Sequence, residues 1–127
     1  MLFITLDRTS EIAARFGQDG FERVMLTLAK AIRGSVRTYD IVGRFDSSRF
    51  GVLLINTAAN EAYLWAEKIR KNVAGHVISL EGKNFSITIS TGVCGALEGM
   101  KREELVGNTV AVVNKASEAG GNAVRVF

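Results

Sequence analysis

The stretch Gly43-Arg44-Phe45-Asp46-Ser47-Ser48-Arg49-Phe50-Gly51-Val52-Leu53-Leu54 decides the architecture of this chain. With Ile41 and Val42 before it and Ile55 after it, it forms two apolar runs around four polar residues, Asp46 to Arg49. Two such runs joined by a short polar turn pair as an antiparallel hairpin. Toward the N-terminus, Phe21, Val24, Met25, Leu28 and Ile32 recur at helical spacing and make one apolar face, closed by Gly34. A shorter helix precedes it, capped by Thr9 or Ser10, with Ile12, Ala13 and Phe16 inward and Gly17 at its end. Leu2 to Leu6 is short, apolar and β-branched, a buried strand. Toward the C-terminus, Thr57 caps a helix that turns Ala62, Trp65, Ile69 and Val73 inward and stops at Gly75. Val77 to Leu80 reads as a strand and Glu81-Gly82-Lys83 as a turn. Phe85, Ile87, Ile89, Thr91 and Val93 then alternate with polar neighbours as one half-buried strand. A last helix over 101–118 places Leu105, Val112, Val113 and Ala116 inward, and Ala123 to Phe127 is a closing strand after Gly120-Gly121. The order β-α-α-β-β-α-β-β-α-β predicts an α/β fold, a mixed central sheet flanked by helices, ferredoxin-like with additions.

The chain has 127 residues, which suits a single domain over 1–127. Hydrophobic residues at 47% and charged residues at 23% exclude disorder as the main content. No apolar run is long enough for a membrane span, and the apolar start, Met1 to Leu6, is too short for a signal h-region and is interrupted by Asp7, so no signal peptide is expected in it. Cys94 is the only cysteine, so disulfide frameworks and cysteine zinc sites are excluded and a reducing compartment is predicted. His76, the only histidine, has no partners of its kind and lies in a loop, which leaves no histidine metal site. The net charge of +3 permits an anionic ligand without requiring nucleic acid. Arg49-Phe50-Gly51-Val52-Leu53 echoes an RNA-reading strand, but Val52 and Leu54 cannot stack bases, so a core strand is expected and no nucleic-acid partner.

At the hairpin the pattern resembles the signature of GGDEF domains, the diguanylate cyclase family. Three further segments agree in order. Ala66-Glu67-Lys68-Ile69-Arg70 is similar to the family's A-E-x-I-R helix, Thr88-Ile89-Ser90-Thr91-Gly92-Val93 to its T-x-S-x-G-V strand, and Gly120-Gly121-Asn122-Ala123-Val124 to its closing G-x-N-x-V. The resemblance covers nearly the whole chain from Leu2 and implies a nucleotidyl-cyclase-like fold. The family's opening helix, with its D-x-L-T-G-L-x-N-R segment, has no counterpart here. The expectation is a domain excised from a longer protein or a stripped gene product.

Family cyclases join two GTP molecules by attack of a ribose 3′-OH on an α-phosphate, with metal ions held by carboxylates. The resemblance places the metal-binding pair at Thr5 and Asp7, so one acid of the two is absent. The signature turn falls on Asp46, Ser47, Ser48, Arg49 and Phe50: both glycines are replaced, the metal carboxylate is Ser48, and the next acid is Arg49. The guanine-reading positions fall on Ala13 and Ala14, and the phosphate-holding positions on Ser117 and Gly121, with Lys115 two residues from the first. The expectation is a degenerate, catalytically inactive domain: not an enzyme, with no catalytic residue, metal or cofactor.

The family's inhibitory site for cyclic di-GMP is marked by R-x-x-D ending five residues before the signature turn. Arg37-Thr38-Tyr39-Asp40 stands at that offset. Arg can donate to the O6 and N7 edge of guanine or to phosphate, and Asp can accept from guanine N1–H and N2–H. Lys68 occupies the family's third, basic position, and Arg70, one register along, assists. The resemblance thus implies a cytoplasmic sensor of cyclic di-GMP, alone or within a larger or membrane-tethered protein, without direct membrane insertion. A second copy of the chain or a signalling domain is the expected protein partner. The alternative is a nucleotide-free interaction or dimerisation module, in which Arg37 and Asp40 are a solvated ion pair and Arg49 is a contact.

Overall fold

A computed structural model describes residues 1–127. The hairpin read from the sequence is present as β2 (Ile41–Arg44) and β3 (Arg49–Leu53), paired with Arg44 opposite Phe50 and Val42 opposite Val52. Around it run β1 (Leu2–Leu6), α1 (Thr9–Arg33), α2 (Ala59–Ala74), β4 (Val77–Leu80), β5 (Lys83–Ser86), β6 (Ile89–Val93), α3 (Arg102–Glu118) and β7 (Ala123–Val126). The central sheet has the order β2-β3-β1-β6-β7; only β6 and β7 are parallel, so the sheet is mixed as expected. Alternation along β1 divides the core. Leu2, Ile4 and Leu6 join Val24, Met25 and Leu28 of α1 and Ile69 and Val73 of α2 in one apolar cluster. Phe3 points to the opposite face, opposite Gly92 of β6. There α3 sits directly on the strand: a Cβ on Gly92 would lie 2.5 Å from the Val113 nitrogen.

Four local expectations are corrected. The two N-terminal helices are one span, Thr9–Arg33, broken at Gly17 (φ 71°, ψ −178°), where the chain kinks and resumes the helix at once. Neither Thr9 nor Ser10 caps it; Arg8 precedes it in a left-handed conformation with no side-chain cap. The single strand expected from Phe85 to Val93 is two. Phe85 pairs with Ile78 in a separate β4–β5 hairpin, while all five residues of β6 are buried between β1 and β7, so their burial does not alternate. Thr57 does not cap α2. Ala58 precedes that helix, its N–H donates to the Glu61 carboxylate at 3.4 Å, and Ala66 rather than Trp65 takes the fully buried position. Trp65 is half-buried, and its indole N–H donates to the Ser35 carbonyl at 2.9 Å, which ties α2 to the α1–β2 connection. No helix is long and apolar enough to cross a membrane.

Candidate ligand site and signature turn

The connection between α1 and β2 carries Arg37 and Asp40, three residues apart in a turn closed by Asp40 N–H donating to the Arg37 carbonyl. The Asp40 carboxylate accepts from the Arg37 backbone N–H at 2.9 Å, from Arg37 Nε at 3.0 Å and from Nη2 at 3.1 Å. A fourth donor is the Ile55 N–H beyond β3, at 3.0 Å. The Asp40 side chain is 1% exposed and that of Arg37 45%. The Arg37 hydrogen bonds, helped by the Ile55 and Arg37 backbone N–H groups, outweigh the cost of burial and hold the Asp40 carboxyl down at about 2. Arg37 Nη2 also donates to the Ile55 carbonyl and to Thr57 Oγ1, each at 2.7 Å. Thr57, expected as a helix cap, therefore anchors this guanidinium instead. Nη1 makes no hydrogen bond within the chain, and the guanidinium carbon lies over the Tyr39 ring, 4.8 Å from its centroid. The Asp40 carboxylate is thus held in place by four protein N–H donors.

Lys68 is exposed and stands three residues after Trp65, on the side of α2 tied to Ser35. Arg70 is elsewhere. Its guanidinium is held by Glu67 at 2.6–2.9 Å and by Asn122 Oδ1 at 3.0 Å, so the expected assistance at the Arg37 site is corrected: residues two apart on a helix do not face the same way. Tyr39, Ile55 and Thr57 have no site role in the sequence reading, which gives Thr57 only as a helix cap. Tyr39 lies inside the R-x-x-D segment and was legible as an aromatic there; Ile55 and Thr57 are brought in by the hairpin.

The signature turn is closed by its own side chains. Arg49 Nε donates to Asp46 Oδ2 at 2.7 Å, and the Ser48 N–H to Asp46 Oδ1 at 3.1 Å. Burial works against ionisation of Asp46, but these donors prevail and its carboxyl sits below the usual range. Arg44 forms a fork with Glu22 of α1 at 2.8 and 2.9 Å and donates to the Asp46 and Ser47 carbonyls, pinning the turn to the helix. The Glu22–Arg44 pair, 22 residues apart, had no sequence signal. Phe50 is buried in the core. A hollow of about 230 Å³ lies beside the turn, lined by Ala13, Phe21, Ser47 and Ser48 among others.

Asp7, at the end of β1, accepts from Thr88 Oγ1 and Ser90 Oγ at 2.7 Å each and from the Asn122 N–H at 2.8 Å. Gly121 permits this: its φ is +74°, and a Cβ there would lie 2.8 Å from the Asp7 carboxyl carbon. Both Asp7 oxygens are spent on protein donors, and the companion positions are Thr5 and Ser48. One carboxylate, already hydrogen-bonded within the chain, is therefore what this corner offers an ion such as Mg²⁺, which is ordinarily held by one or two carboxylates together with water and substrate phosphates. No cluster of three or more metal-ligating side chains occurs in the chain.

A family model described as "Diguanylate cyclase, GGDEF domain" matches residues 1–123. The chain belongs to the GGDEF family. Diguanylate cyclase A of Treponema denticola is 36% identical over 93 residues, covering 73% of this chain and 25% of that protein. Response regulator PleD of Caulobacter vibrioides is 32% identical over 126 residues, covering 97% of this chain and 28% of that protein. This GGDEF domain therefore spans about a quarter of the length of the curated relatives it matches. The crystal structure of the GGDEF domain of DgcB from Caulobacter crescentus in complex with c-di-GMP superimposes with a TM-score of 0.94 at 17% identity, covering 98% of this chain and 75% of that one, a likeness of fold. The mixed sheet with flanking helices is the GGDEF fold, and the family is one of cyclic di-GMP signalling.

The expectation that the chain is not an enzyme is corrected by these comparisons. The family is named for an enzyme, and the relative at 36% identity is named a diguanylate cyclase. Departures at single positions such as Thr5, Ser48 and Arg49 do not remove the chain from an enzyme family.

Proposed function

We propose that this GGDEF domain binds cyclic di-GMP at the α1–β2 connection, as a receptor site for the nucleotide. The observation that carries the reading is Arg37: half exposed, fixed by Asp40, Ile55 and Thr57, with Nη1 uncommitted. A cation held in one orientation loses little freedom on binding an anion, so a phosphodiester or a purine acceptor gains a preorganised donor. Lys68, exposed on the side of α2 tied to this connection, supplies a second charge for the second phosphate. The DgcB domain, which shares the fold, was crystallised in complex with this ligand.

Calorimetry with cyclic di-GMP tests the reading. Binding in the micromolar range or tighter is expected, lost in Arg37→Ala and in Asp40→Ala and weakened severalfold in Lys68→Ala. Absence of heat at protein concentrations well above micromolar would sink it.

A further inference from the structure

Away from the Arg37 site and the signature turn, a cleft of about 540 Å³ lies between the second half of α1, the C-terminal end of α2 and the β4–β5 hairpin. We propose that this cleft binds a small amphiphilic carboxylate, with its apolar body on the floor and its head at Lys30 and the end of α2. The inference goes beyond the cyclic di-GMP reading and does not depend on it. The cleft shares no residue with the Arg37 site or with the hollow beside the signature turn.

The cleft exists because β4 and β5 pair only with each other and stand apart from the central sheet. The hairpin is fastened to the first half of α1. Phe85 stacks on Phe16 with 4.6 Å between ring centroids, and Leu80 Cδ1 would lie 4.0 Å from a Cβ on Gly20. Farther along α1 the hairpin and the helix part, and the gap opens at Thr27 and Leu28. Its floor is Leu28, Val73 of α2, Ile78 of β4, and Ile87 between β5 and β6. All four are buried and belong to the one apolar cluster of the core, so the floor is firm as well as greasy.

The rim has a different chemistry. Lys30 and Ala31 stand on α1, Asn72 and His76 at the end of α2, and no Asp or Glu lines the cleft. Lys30 and His76 are exposed and neither is in an ion pair, whereas Arg37, Arg44, Arg49 and Arg70 each hold a carboxylate. An ammonium offers three donors, a side-chain amide two, and an imidazole at least one in either protonation state. Thr27 is turned away from this role, because its hydroxyl donates to the Arg23 carbonyl at 3.0 Å. A rim rich in donors selects a head that accepts. Lys30 supplies one permanent positive charge, which a carboxylate matches with one negative charge. An apolar hollow of several hundred Å³ with a few convergent polar groups is the usual form of a small-molecule site.

Calorimetry with decanoate and with 2-naphthoate, each below the concentration at which it self-associates, tests the proposal. The matching alcohols, decanol and 2-naphthol, are the uncharged controls, and wild type is compared with Lys30→Gln and Ala31→Trp. At least one acid is expected to bind wild type with a dissociation constant below about 100 μM and to move the Ile78 and Ile87 methyl resonances. The acid that binds more tightly tells a flexible chain from a flat ring. Each bound acid should exceed its alcohol by about threefold or more, and Lys30→Gln should erase that margin. Ala31→Trp, which fills the mouth from the rim, should weaken binding about tenfold or more. Both positions are exposed, so neither variant threatens the fold. The proposal is overturned if neither acid binds below about 100 μM, if the alcohols bind as tightly as the acids, or if either variant leaves the affinity for the acid unchanged.

Discussion

The carboxylate of Asp40 gathers donors from two segments, the Arg37 backbone and guanidinium on one side and the Ile55 N–H on the other. Its carboxyl is held at about 2, chiefly by Arg37. Because the folded value lies below the ordinary one near 4, the charged form stabilises the loop above that ordinary value and the contribution is lost as pH falls through about 2. Carboxyl NMR should show Asp40 titrating near pH 2, with the Ile55 amide shifting in the same step; a midpoint near 4 would contradict the clamp. Asp7 is the second residue of this kind, with three donors in a largely buried setting. Asp7→Ala leaves the Ser90 hydroxyl and the Asn122 N–H without an acceptor, and should cost about 2–4 kcal/mol in urea unfolding. A loss below about 0.5 kcal/mol would show that other groups take over those donors. Arg37 and Asp40 could be named from their spacing and offset before the hairpin, but their mutual saturation could not. Ile55 and Thr57 lie 18 and 20 residues away from Arg37, and only the β2–β3 pairing brings them in.

At the level of elements, glycines separate what local sequence decides from what packing decides. Gly17 breaks α1 at a φ, ψ of 71°, −178°, a conformation nearly confined to glycine, and nothing lies within 4 Å of where a Cβ would be. Gly17→Ala should therefore cost about 1–3 kcal/mol through backbone strain alone. Gly92→Ala fails for the opposite reason. Its Cβ would sit 2.5 Å from the Val113 nitrogen and 2.7 Å from Val112 Cγ1, so α3 must lift off β6 at about 1–3 kcal/mol or more. Gly43→Ala is the control: it has open space around it in an edge strand and should be neutral or raise stability by up to about 1 kcal/mol. Denaturant midpoints rank the three, and a Gly92→Ala protein as stable as Gly43→Ala would refute the close seating of α3. The hairpin and the helical faces were legible because each is a local period with local punctuation. The split between Phe85 and Val93 was not, since Phe85 and Ile89 continue one alternation and only the partner strands, β4 for one and β1 for the other, tell them apart. Gly17 was legible as a stop, but whether the chain leaves or resumes its axis depends on Phe21 and Val24 finding the same core as Ile12 and Phe16.

Across the whole molecule, the proposed site joins three segments: the α1–β2 connection, the β3–α2 connection through Ile55 and Thr57, and the middle of α2 through Trp65 and Lys68. A ligand seated there binds only when all three are in place, so it binds the folded chain and not the unfolded one. Linkage then fixes the size of the effect: free ligand at a hundred times its dissociation constant adds about 2.7 kcal/mol of stability. For a chain of this length each kcal/mol moves the thermal midpoint by roughly 3–6 °C, so cyclic di-GMP at that excess should raise it by about 8–16 °C. Arg37→Ala should melt without any ligand-dependent shift, which separates lost binding from lost stability because its own midpoint is read in the same scan. The cations at the site are exposed, so the shift should shrink as salt rises from about 0.05 to 0.5 M, where screening shortens below the span of the site. A midpoint that rises equally with free guanosine monophosphate would mean that one base and one phosphate suffice. A midpoint that does not move at all would mean that Arg37, Thr57 and Trp65 hold this corner together for the fold alone.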